Sequence, residues 1–163
     1  MIVKDICPAC HSPVPRSFAA LMDMYEANYI RLRQMMPELF HLQGHHVSRV
    51  SGGLDLHLRV VERTRHTWTL WLSYDFGPDC APRLRPDLLV RVYRDARQAE
   101  VLSRTCRFET LSPQRFASDL DSMLLCKWRL NRFLYKWLGY LLRQGHRFPA
   151  TPETAPVELA GKA

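Results

Sequence analysis

Apolar residues recur along this chain with a period of 3.6, then 2, then 3.6 again, and that order sets the elements it predicts. Between Ser17 and Met36, the residues Phe18, Leu21, Met22, Tyr25, Tyr29, Leu32 and Met36 fall at i, i+3, i+4 and i+7, which predicts an amphipathic helix stopped by Pro37. From Leu54 the period becomes two. Leu54, Leu56, Leu58 and Val60 alternate with Asp55, His57, Arg59 and Val61, and Trp68, Leu70, Leu72 and Tyr74 alternate with Thr67, Thr69, Trp71 and Ser73. A three-residue loop, Arg63-Thr64-Arg65, pairs Val60 with Trp68, Leu58 with Leu70 and Leu56 with Leu72. That register gathers the apolar residues on one face and leaves His57, Arg59, Thr69 and Trp71 on the other. His45 to Val50 adds a short strand, with Gly52-Gly53 as its turn.

Pro78, Pro82 and Pro86 mark residues 75–87 as a connection, because proline donates no ladder hydrogen bond. Leu88 to Arg94 and Ala99 to Thr105 then form a second hairpin about a turn at Asp95–Gln98. Val92 faces Val101 in that register, with Arg91, Tyr93, Glu100 and Leu102 on the other face and an ion pair expected between the diagonal neighbours Arg91 and Glu100. The helical period returns over Ser118 to Gln144, capped by Ser118 and ended by Gly145. Met123, Leu130, Leu134, Trp137, Leu138 and Leu141 share its apolar stripe, and Arg129, Arg132, Lys136 and Arg143 lie opposite. Lys127 and Asn131 sit inside the stripe, as Asn28 does in the first helix. A buried polar group needs a partner, so Asn28 is expected to bond to backbone, Lys127 or Asn131.

The order of periods predicts an α+β fold, an antiparallel four- to five-stranded meander sheet with two long helices packed on one face. A meander puts both hairpin turns at one end, where Glu62, Arg63, Arg65, His66, Arg94, Asp95 and Arg97 form a net basic rim. Residues 1–15 read as a flexible N-terminal arm, 16–146 as a single α+β domain, and 147–163, rich in Pro, Ala and Thr, as a disordered tail.

Length and charge narrow the partners. The 163 residues suffice for one cored domain, and 23 Lys and Arg against 16 Asp and Glu give a net charge of +7, which favours anionic ligands. No run approaches 18 apolar residues and no export pattern opens the chain, so a cytoplasmic protein without a membrane span is expected. Five cysteines then read as free thiols. Cys7-Pro8-Ala9-Cys10-His11 carries knuckle spacing, but a zinc site would need two more ligands from His41, His45 and His46 across a helix of about 30 Å. Haem attachment lacks its export signal, and a redox CxxC lacks its helix because Pro13 and Pro15 follow. No bound metal and no cofactor is expected.

Tyr25-Glu26-Ala27-Asn28-Tyr29 with Leu32 and Met35-Met36-Pro37 resembles the opening of the YqiB-like proteins, a bacterial family of unknown function. Glu62-Arg63-Thr64-Arg65 with Thr67, Val90-Arg91-Val92-Tyr93-Arg94-Asp95-Ala96 with Ala99-Glu100-Val101, and Lys127, Asn131, Phe133-Leu134, Trp137-Leu138, Tyr140, Leu142 and Gly145 extend the resemblance over about residues 20–146. His66 stands where the family has Tyr. The resemblance implies a small cytoplasmic protein with no established activity.

Three functions follow. The leading one is a non-enzymatic binding or regulatory module that recognises a protein or small anionic ligand through Glu62, Arg65, Tyr93, Asp95 and Glu100 on the rim, with the polar stripe residues Asn28, Lys127 and Asn131. The alternative is nucleic-acid binding by Arg129, Arg132, Lys136 and Arg143, flanked by the aromatic residues Trp128, Phe133, Tyr135 and Tyr140. The second alternative is a small enzyme using Glu62, Asp95 and Glu100 as acid/base groups. The chain contains no G-x-G-x-x-G, P-loop, G-x-S-x-G or H-E-x-x-H string, which removes the nucleotide, hydrolase-elbow and zincin classes.

Overall fold

A computed structural model describes residues 15–77, 84–102 and 116–149, with side chains of the last segment from residue 120 onward. Helix α1 (Phe18–Met35) starts where Ser17 Oγ accepts the Ala20 N–H at 3.1 Å, and ends as Met36 leaves helical geometry ahead of Pro37. A 3-10 turn, Leu39–His41, leads to strands β1 (His45–Ser48), β2 (Leu56–Arg63), β3 (Thr67–Asp75), β4 (Leu84–Tyr93) and β5 (Gln98–Leu102). Helix α2 (Phe116–Gln144) follows. The five strands form one antiparallel sheet in chain order, the α+β meander that the change of period predicts. Gly52, at φ 71, supplies the left-handed residue that the turn between β1 and β2 needs.

The core lies between the helices and one sheet face. Leu32, Met35 and Met36 from α1, and Leu134, Leu138 and Leu141 from α2, pack with Leu56, Leu58, Leu70, Leu72, Val90, Val92 and Val101. Phe148 joins them at 2 % exposure and donates its N–H to Met35 O at 2.9 Å, so packing continues past the point where the helical pattern stops. Residues 1–14, with Cys7 and Cys10, and residues 150–163 lie outside the described residues.

Both hairpin registers differ from expectation by two residues. Leu58 pairs with Leu72 and Val60 with Leu70, and a bulge between Val60 and Glu62 then aligns Glu62 with Thr69 and Arg63 with Trp68. In the second hairpin Val90 pairs with Val101 and Val92 with Ala99. Alternation fixes which face a side chain takes, and a shift of two preserves it, so the faces are as expected while the partners are not. Strand β4 begins at Leu84 and contains Pro86, which the sequence placed in a connection. Its pairing with β3 is irregular there, between Leu72 and Tyr74, and a bulge tolerates proline because no ladder donor is required. Helix α2 begins two residues before Ser118, so Ser118 is not its cap, and residues 103–105 of the expected strand lie outside the described residues.

Cys126 is disulfide-bonded, which corrects the expectation of five free thiols. The other four cysteines lie outside the described residues. An odd count and a missing export pattern speak to the redox compartment and not to which thiols a fold brings together.

Candidate functional site

The observed register sets Glu62, Thr69, Arg91 and Glu100 in one row across β2, β3, β4 and β5, on the face away from the core. Arg91 lies directly opposite Glu100, yet it turns the other way. Its Nη2 is 3.7 Å from Glu62 Oε2 and its Nε donates to Thr69 Oγ1 at 3.4 Å. The expected Arg91–Glu100 pair is therefore replaced by Arg91–Glu62, because Glu100 at the sheet edge is already taken by the helices.

Glu100 is the most heavily bonded side chain in the row. Its Oε1 accepts the Tyr93 hydroxyl at 2.7 Å, and its Oε2 accepts Tyr25 from α1 and Lys127 from α2, each at 3.1 Å. Burial alone would raise the Glu100 carboxyl, but the Tyr93 hydrogen bond and the Lys127 charge outweigh it and hold the group below the usual glutamate range. Tyr25 is pushed up, by burial first and then by the Glu100 charge, and Tyr93 moves the same way. Two neutral phenols and an ammonium thus surround one carboxylate. Beside them, Asn131 Oδ1 accepts the Val101 N–H of the edge strand at 2.9 Å, its Nδ2 donates to Lys127 O, and Asn28 Nδ2 donates to Asn131 O at 3.2 Å. The polar residues inside the two apolar stripes therefore meet each other and close the free edge of β5.

The rim residues separate into two groups. Arg65, His66, Arg94, Asp95 and Arg97 line one shallow, open depression, while Tyr93 and Glu100 belong to the network just described. The Arg94 N–H donates to His66 O at 2.9 Å, which ties the two hairpin turns together. Asp95 Oδ1 accepts the Ala96 N–H at 2.9 Å within its own turn. Arg94 lies 5.2 Å from the Phe40 ring centre, and Arg33 of α1 lies 5.0 Å from the same ring. The three carboxylates of the enzymatic alternative do not converge. Glu62 and Glu100 are three strands apart, roughly 14 Å at 4.8 Å per strand, and Asp95 is on the turn.

Arg129, Arg132, Lys136 and Arg143 are all exposed on α2, and none of them forms an ion pair among the described residues. No helix among the described residues is long and apolar enough to cross a membrane.

A family model described as "Protein of unknown function (DUF1249)" matches residues 31–147. The chain belongs to this family. It is 30% identical over 128 residues to the uncharacterized protein YqiB of Escherichia coli strain K12, covering 78% of this chain and 90% of that protein, and matches YqiB of the O157:H7 and O6:H1 strains equally well. No solved structure matches. The stretches through which the chain resembles YqiB-like proteins supply Tyr25, Asn28, Glu62, Arg91, Tyr93, Glu100, Lys127 and Asn131, so in this member they build one continuous polar network.

Sequence reasoning missed several groups in this YqiB-like chain. Tyr25 was legible only as an apolar stripe residue, although a hydroxyl one turn before Asn28 was the available signal. The histidines weighed for zinc separate in the fold. His41 bonds Glu38, His46 bonds Gln43 O, and His45 bonds His57 at 3.0 Å. His146 gave no signal at all. It is fully buried, its Nδ1 lies 3.0 Å from Ser48 Oγ, and its Nε2 has no partner among the described residues. With Tyr74, Tyr140 and Gln144 it borders a cavity of about 40 Å³.

Burial lowers the His146 pKa from 6.5, against the opposing pull of Ser48 and Asp55. The folded protein then binds this proton less tightly than the unfolded chain, so its contribution to stability is complete above about pH 6.5 and is lost as pH falls below it. The urea midpoint should drop between pH 7.5 and 5.5, and His146→Gln should show a smaller drop. Equal drops in the two proteins would show that His146 does not carry this acid sensitivity.

Proposed function

We propose that this chain is a non-enzymatic binding module whose hairpin rim holds a small anionic ligand. The observation that carries the reading is the depression formed by Arg65, His66, Arg94 and Arg97, in which the single carboxylate, Asp95, accepts a backbone N–H of its own turn. Three guanidinium groups on two turns tied together by Arg94 and His66 offer planar donors for an oxyanion. Packing of Arg94 against Phe40, which in turn meets Trp68 edge-on at 4.8 Å, holds one of these donors in place before any ligand arrives. In this reading Glu100 is linked to the rim through the Tyr93 hydroxyl, which precedes Arg94 in the chain.

Titration with inorganic pyrophosphate tests the reading. Calorimetry at low salt should show binding, weakened at least tenfold in Arg65→Gln/Arg97→Asn with the melting temperature little changed, since both residues are exposed. Asn is chosen at 97 because Arg97 has φ 53, which Asn tolerates better than most residues. Absence of heat, or heat unchanged by the double substitution, would remove the rim as the site.

A further inference from the structure

Gly139 stands in the interior of α2, where glycine is the poorest helix former short of proline, and its neighbours explain why it is there. A Cβ at this position would lie 2.5 Å from Arg31 Nη1 and 3.4 Å from Arg143 Nη1. Arg31 reaches across from α1, lays its guanidinium 3.5 Å from the centre of the Tyr135 ring, and donates to Tyr135 O. The missing side chain thus lets two guanidinium groups meet over one helix face, with terminal nitrogens no farther apart than about 6 Å. Neither pairs with a carboxylate among the described residues. Two like charges this close repel, and an oxyanion between them converts the repulsion into attraction.

The surroundings identify the anion. Arg132, Lys136 and Arg129 continue the positive line, and the sequence has no Asp or Glu between Asp121 and Glu153. Phe133 and Tyr140, each 46 % exposed, lie along the same stripe, and Phe133 is nearly parallel to Trp137 at 6.2 Å. At 100° per residue Arg129, Arg132, Phe133, Lys136, Tyr140 and Arg143 fall within about 100° of arc, over roughly 21 Å of helix. Charges that alternate with open aromatic faces match a strand that alternates phosphates with unpaired bases.

We propose that α2 and Arg31 form a binding face for single-stranded nucleic acid, with one phosphate held between Arg31 and Arg143 over Gly139 and bases stacked on Tyr140 and Phe133. This site is separate from the hairpin rim in both position and ligand. Binding depends on a bare backbone at 139, so a substitution that improves the helix should impair the function.

Fluorescence polarisation with a short labelled oligothymidylate tests this. Binding at about 50 mM salt should weaken on the order of 50-fold by 200 mM, the slope of about four phosphates on a single strand. Gly139→Ala should weaken binding at least fivefold while helix content and melting temperature hold or rise. Arg132→Glu/Lys136→Glu, at two exposed positions, should abolish it, and Arg65→Gln/Arg97→Asn should bind as the parent protein does. No polarisation change at tens of micromolar protein would overturn the proposal. So would equal competition by polyglutamate, which marks an acidic-protein surface, or full displacement by millimolar inorganic phosphate, which marks a small-anion site. Gly139→Ala binding at parental strength, or loss of binding in the rim variant, would also overturn it.

Discussion

Glu100→Ala should lower the melting temperature by about 10 °C, because it strips the one acceptor shared by the Tyr25 and Tyr93 hydroxyls and the Lys127 side chain. Lys127 is the costliest of them. Its side chain is 22 % exposed and that of Glu100 is 15 %, so the pair is neither fully dry nor freely solvated. Removing one partner of a fully buried pair costs roughly 3–5 kcal/mol, and discounting for the remaining exposure leaves about 2–3 kcal/mol here. In a domain of this size each kcal/mol moves the midpoint by about 3–5 °C. Glu100→Gln should not rescue it, since the new amide turns a donor toward hydroxyls and an ammonium that are donors themselves. Glu100→Leu/Lys127→Met should recover part of the loss by leaving no unpaired charge.

The acid limb gives an independent reading. The Glu100 carboxyl is held below 4.5 in the folded protein, by Tyr93 and Lys127 against burial, so its contribution is present above that pH and disappears as pH falls through the depressed value. Thermal scans from pH 6 to pH 3 should show a shallower decline in Glu100→Ala than in the parent. A midpoint within 2 °C of the parent at pH 7 would mean that the network is solvated and contributes little.

What the sequence disclosed here was parity, and what it withheld was position within parity. Leu58 and Leu70 had to share a face, and they do, but Leu58 opposite Leu70 and Leu58 opposite Leu72 satisfy alternation equally. The turn, which pairs Arg63 with Trp68, and the bulge after Val60 together decided between them, and nothing in Val60-Val61-Glu62 announces a bulge. The same two-residue shift brought Glu100 directly opposite Arg91, which made the row from Glu62 to Glu100 visible only in the structure. The polar intrusions in both helices were legible, because Asn28, Lys127 and Asn131 violate an otherwise apolar stripe. The bond from Asn28 to Asn131 O was legible as well, whereas the partners of Lys127 and Asn131 were not, because Glu100 and Val101 lie about thirty residues away in sequence and reach α2 through the path of the sheet edge. Arg31 was unreadable for a related reason. It sits at the margin of α1, and only the crossing of α1 with α2 places it over Gly139.

Asn131→Leu should cost about 2 kcal/mol and expose one particular amide. Strand β5 ends the sheet, and Asn131 Oδ1 takes an N–H that the sheet leaves over, at Val101, where the residue is only 1 % exposed. Leucine has the heavy-atom count and branching of asparagine but accepts nothing, so the buried donor loses its partner and the cost of an unmade buried hydrogen bond applies in full, at roughly 1–3 kcal/mol. Asn131→Asp should be milder, because it keeps the acceptor and places the new charge one turn from Lys127. Amide exchange separates a local role from a global one. In Asn131→Leu the Val101 amide should exchange much faster than in the parent, by more than the overall loss of stability explains, while Leu70 and Leu72 in the sheet interior follow the overall loss alone. An unpaired N–H on an edge strand is also a template for pairing with another chain, so this variant should form dimers or larger species at concentrations where Asn131→Asp stays monodisperse. If Val101 keeps its protection in Asn131→Leu, the edge is closed by the packing of α2 and not by the asparagine, and the alignment of Asn28, Lys127 and Asn131 would then serve the Glu100 network alone.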